Sequence, residues 1–122
     1  MNTDPTQAEP LADALHPRLL ALLERETASA LSFGYRSSGA VHHDGRVVGV
    51  MAAIRLLPEP LAVDPSPLDG PWYIAALRSE IVALRERQAD CRAGSASHRH
   101  LAGMILGIGA AMAEAEAVGG QT

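Results

Sequence analysis

The chain of 122 residues has a single cysteine, no lysine and very few aromatic side chains, 3% of the total. One cysteine excludes an intramolecular disulfide and the stapled scaffolds that depend on one. With 48% hydrophobic residues and almost no rings, the core has to be built from Leu, Ile, Val, Met and Ala, which suits closely packed helices. All ten basic residues are Arg, a bias that reads as GC-rich, bacterial coding rather than as selection for guanidinium chemistry. No segment is strongly basic. The net charge is −4, and the most positive stretches, 33–57 and 78–100, reach only +2. A phosphate-binding footprint is therefore missing, and nucleic acid is not an expected partner.

The N-terminus, Met1-Asn2-Thr3-Asp4-Pro5, lacks the basic start and apolar run of a secretory signal, so a cytoplasmic protein is expected. Long hydrophobic runs are also missing. The longest uncharged apolar stretch, 101–113, has 13 residues, against about 20 needed to span a bilayer. It reads as a buried helix, with no membrane partner. There is no Gly-rich phosphate loop, no Glu-x-x-His metal motif, no nucleophile elbow and no internal repeat. No cofactor or metal is expected.

What is present is a mirror. Ile74 and Ala115, Leu77 and Met112, Ile81 and Ile108, Leu84 and Ile105, Gln88 and Leu101, and Cys91 and His98 are pairs whose positions each add to 189. The spacing is 3, 4, 3, 4, 3 on both sides of Ala93-Gly94-Ser95-Ala96, the arrangement two antiparallel helices need to meet layer by layer. The length suits one domain, and the expected fold is all-α: a small four-helix bundle with helices over 11–33, 45–57, 71–92 and 97–117. A leader over 1–10 and a tail over 119–122 flank a single helical domain at 11–118.

Within the first helix, Leu15, Leu19, Leu22 and Leu23 share one face, and Pro17 marks a possible start after a separate first turn. Residues 34–39 read as a loop. Val41 to Val48 is ambiguous, because Asp44-Gly45 between β-branched residues suits a type I′ hairpin while Val47, Val50, Met51 and Ile54 suit a helix. The helix is preferred, since a lone hairpin has no sheet to join. Five prolines at 58, 60, 65, 67 and 71 predict an extended crossing segment. Ser97 is the expected cap of the fourth helix.

The fourth helix carries Gly103, Gly107, Ala110 and Ala111 on the face behind the mirror seam. Glycine costs roughly 1 kcal/mol of helix propensity relative to Ala, so another backbone is expected to lie close to this groove. Either the first helix or a second copy of the chain could fill it. The expectation carried forward is a homodimer that uses these four residues as its interface.

Three constellations are candidates for chemistry. The seam turns polar at the hairpin tip, where Cys91 faces His98 beside Gln88, Arg92 and His100; a thiol next to an imidazole can be a nucleophile or begin a metal site. His42 and His43 would have to complete a metal site, and the two rings of His98 and His100 diverge on a helix. Glu26 lies on the apolar face of the first helix, where a carboxylate needs a partner or a function. Arg55 is its expected partner, and Tyr35 and Trp72 are the remaining candidates for a ligand pocket around it. Arg78, Arg85 and Arg92 form a stripe along the third helix, read as a solvated face. The function expected from all this is a helical interaction or regulatory module that self-associates and binds a protein partner. The alternative is a small enzyme or ligand-binding bundle using Glu26 and a histidine as acid and base in an internal pocket, with Cys91 and His98 as further candidates.

Overall fold

A computed structural model describes residues 11–34, 37–57 and 70–119. It contains four helices, α1 (Leu11–Leu31), α2 (Ser38–Arg55), α3 (Gly70–Ala89) and α4 (Ala96–Gly119), and no strand among the described residues. The leader at 1–10, Tyr35 and the Pro-rich stretch at 58–69 lie outside them.

The ambiguity at 41–48 resolves as helix, and α2 starts seven residues before the expected position 45. Its cap is Ser37, whose backbone is extended (φ −72°, ψ 162°) and whose hydroxyl accepts from the Ala40 amide at 3.0 Å. Residues 38 and 39, expected in a loop, are therefore helical. Gly45 does not turn the chain. A methyl group there would land on the His100 carbonyl oxygen, so its missing side chain serves packing instead.

That packing organises the molecule. Gly45 and Gly49 of α2 face Gly103 and Gly107 of α4, and a Cβ at any of the four would meet backbone of the other helix. Gly45 lies at the level of His100 and Gly103, and Gly49 at the level of Met104 and Ile108, so the two helices run parallel. Four glycines spaced four apart let the backbones approach as closely as small-residue pairs do in membranes. The groove on α4 is thus filled by α2 of the same chain, neither by α1 nor by a second copy. Ala111 is fully buried in the same core and Ala110 half-buried.

The antiparallel α3–α4 hairpin forms as the mirror predicts. Leu77, Leu84, Leu101, Ile108 and Ala115 are buried, and Ile74, Ile81, Ile105, Met112 and Cys91 pack against them. The connection uses Gly94 at φ +79°, a left-handed conformation that glycine adopts without a Cβ clash. The cap of α4 is Ser95 rather than Ser97, its hydroxyl accepting from the His98 amide at 3.1 Å.

Helix α1 runs unbroken through Pro17 and packs antiparallel to α2 and α4. Leu15, Leu19 and Leu22 enter the core beside Val50 and Ala53. Arg18 ties α1 to Glu114 of α4 at 2.8 Å, with Arg25 at 4.0 Å from the same carboxylate. Tyr73 closes the far end of the bundle, fully buried, with its hydroxyl donating to the carbonyl of Ala53. The Leu57 amide turns to Ile54 instead, so the phenol supplies a donor to a helix-end carbonyl.

Candidate functional site

Glu26 is buried, with 7% of its surface exposed, and its partner is Arg46 rather than Arg55. The guanidinium grips both oxygens, Nε to Oε1 and Nη2 to Oε2, each at 2.8 Å. Because α1 and α2 are antiparallel, the C-terminal half of α1 lies beside the N-terminal half of α2. Arg55 is nine residues farther on, about 13 Å along the axis, and is exposed. The bidentate pair engages both carboxylate oxygens, the strong geometry of an Arg–carboxylate contact.

Next to this pair, His42 and His43 sit edge to face with ring centroids 5.4 Å apart, and Phe33 stacks on His43 at 4.5 Å. The Phe33 ring reaches over Gly39, where a Cβ would strike it. Burial, then the neighbouring His43 and Arg46, lower the affinity of His42 for a proton; a bond to the Arg99 backbone and the Glu26 carboxylate act in the opposite sense. The Nδ1 of His43 is buried and has no hydrogen-bond partner.

At the hairpin tip an open cleft of about 620 Å³ is lined by Val41, Arg87, Asp90, Cys91, Ala96, Ser97, His100 and Leu101. The imidazole that shares its wall with Cys91 is His100. His98 instead offers its backbone carbonyl to Gln88 Nε2 at 3.2 Å. The Cys91 thiol, just past the end of α3 and not within the helix expected over 71–92, donates to the Arg87 carbonyl at 3.5 Å. Thus the tip gathers a thiol, an imidazole and two opposite charges around solvent, with the thiol bonded to a backbone carbonyl. Among the described residues no three His, Cys, Asp or Glu side chains come together as metal ligands. Trp72, a candidate for a pocket at Glu26, is 47% exposed at the start of α3. The stripe Arg78, Arg85 and Arg92 faces solvent.

The larger unsatisfied surface is on α4. One face meets α2 through Gly103 and Gly107, and a second meets α3 through Leu101, Ile105, Ile108 and Met112. A third face is open, with Leu106 49% exposed, Ala113 exposed, and no atom within 4 Å of the place a Gly109 Cβ would occupy. By length and composition α4 is apolar enough to cross a bilayer, yet only 33% of its most apolar stretch is buried. Counting the charge-free run alone had concealed that length. The missed residues are Arg46, Tyr73 and this third face; the matched Gly-x-x-x-Gly spacings at 45–49 and 103–107 were the available signal for the α2–α4 contact.

The chain matches no known protein family, no curated protein and no solved structure.

Proposed function

We propose that the chain is a non-catalytic helical interaction module that works by self-association, as a platform for a protein partner. The observation that carries this reading is the open third face of α4, an apolar strip on a helix without a charged side chain from Leu101 to Ala113. A helix apolar on all sides is normally covered on all sides. Here α2 and α3 cover two faces, and the third keeps Leu106 half in water. The bidentate Glu26–Arg46 pair supports the non-catalytic side of the reading, because both oxygens of the carboxylate an acid or base mechanism would use are already bonded to one guanidinium. A homodimer formed through the third face replaces the expected one through Gly103 and Gly107, which already hold α2.

Sedimentation equilibrium over a wide concentration series tests this. The wild-type mass is expected to climb from the 12.8 kDa of one chain toward twice that value, and Leu106→Glu to remain at 12.8 kDa. A wild-type mass of 12.8 kDa at every concentration overturns the reading.

A further inference from the structure

We infer that the third face of α4 pairs with the same face of a second copy, antiparallel, about a two-fold axis crossing the helix between Gly107 and Ile108. This rests on the self-association reading and adds to it a direction, a register and two ion pairs. The face consists of Arg99, Ala102, Leu106, Gly109, Ala113 and Glu116, spaced 3, 4, 3, 4, 3. It is a second heptad-like seam on the helix that already carries one for α3. None of the six belongs to the buried core.

The register follows from what each position would meet. About the stated axis, Leu106 lies opposite the partner's Gly109, Ala102 opposite the partner's Ala113, and Arg99 opposite the partner's Glu116. The two-fold repeats each contact, as an isologous interface requires. Leu106 is the only large apolar side chain of the strip, and Gly109 is the position with open space above its backbone. A knob on each copy therefore has a hole on the other, and the alanines on either side let the helices approach. At the ends, a cation meets an anion twice.

Other arrangements lose these matches. A parallel pair sets Arg99 against the partner's Arg99 and Glu116 against the partner's Glu116, like charges face to face. Sliding the antiparallel pair by one heptad puts Glu116 against the partner's Leu106, or Arg99 against the partner's Gly109, and abolishes both ion pairs. The side chains of Arg99 and Glu116 lie at the half-buried and exposed ends of the strip. Arg99 serves the fold through its backbone, where His42 bonds to it.

Charge reversal tests the register. Sedimentation equilibrium is run on the full chain as wild type, as Arg99→Glu, as Glu116→Arg and with both substitutions. Each single reversal turns two ion pairs into two like-charge contacts and is expected to weaken the dimer about tenfold. The double exchange restores both pairs and is expected to return the dissociation constant to within about threefold of wild type. Recovery in the double variant also shows that the single variants had not lost affinity by misfolding. A dimer indifferent to both single reversals, or one the double exchange fails to rescue, overturns this register while leaving self-association standing. A wild type that never exceeds the mass of one chain removes the self-association reading itself.

Discussion

Glu26 and Arg46 show how a buried charge is accommodated in a core of this kind, and they behave as a unit. Arg46→Met leaves the carboxylate buried and unpaired, and is expected to cost about 2–4 kcal/mol; this is below the figure for fully buried pairs because the Arg46 side chain keeps 28% of its surface in water. Replacing both residues, Glu26→Leu with Arg46→Met, is expected to recover most of that loss in a urea titration, since no orphan charge remains. Tyr73→Phe removes the donor from the Ala53 carbonyl and should lower stability by about 1–2 kcal/mol with an unchanged urea dependence. Burial also pushes the Tyr73 phenol above its ordinary range, so it remains a donor throughout physiological pH. His42 acts in the other direction. Its proton affinity is lower in the fold than the ordinary value of 6.5, so the unfolded chain binds the proton more readily. The resulting stability is present above pH 6.5 and is lost as the pH falls below it. Urea midpoints measured from pH 7.5 down to about 5 should therefore decline, and decline less in His42→Gln. The sequence made Glu26 conspicuous as a carboxylate among leucines, but not its partner. Choosing between Arg46 and Arg55 requires the direction of α2 against α1, and no single helix encodes that.

Two helix pairs hold the molecule together by different means, and the sequence revealed one far better than the other. The α3–α4 seam was legible because large aliphatic side chains repeat at helical spacing, and their positions mirror each other across a short turn. The α2–α4 contact depends on residues that have no side chain at all. Gly45, Gly49, Gly103 and Gly107 leave no periodic hydrophobic signal, and Asp44-Gly45 even imitates a hairpin turn. The start of α2 was hidden for a related reason, since Ser37 is one of two adjacent serines in a stretch that reads as loop. The glycines of α4 should separate sharply under substitution. Gly103→Ala drives a methyl group into the His42 carbonyl and is expected to destabilise the fold by about 1–3 kcal/mol or more. Gly109→Ala points into open space and should stabilise the monomer by up to about 1 kcal/mol through helix propensity. Thermal denaturation at a concentration where sedimentation gives the mass of one chain compares the two directly.

For the whole molecule, the question left by the fold is what covers α4. Composition pointed to an interaction module, and Gly103 and Gly107 were the natural place to seek a subunit interface. Yet α2 occupies them, which moves the unsatisfied surface about a quarter-turn around the helix, to Leu106 and Gly109. That shift could not be seen in the sequence, because both faces are made of small and aliphatic residues and only the path of α2 distinguishes them. The hairpin tip was legible as a polar end of an apolar seam, although the histidine that lines the cleft with Cys91 is His100. Antiparallel self-pairing of the open face makes a prediction about distance. A nitroxide on Ala117→Cys, in a Cys91→Ser background, sits at an exposed position near the C-terminal end of α4. In the antiparallel dimer the two labels lie about 28 Å apart along the helix axis. A dipolar coupling centred near or somewhat beyond 28 Å, growing with protein concentration, is the predicted result. Labels within about 15 Å of each other, as side-by-side parallel helices would hold them, or no coupling at any concentration, would contradict it.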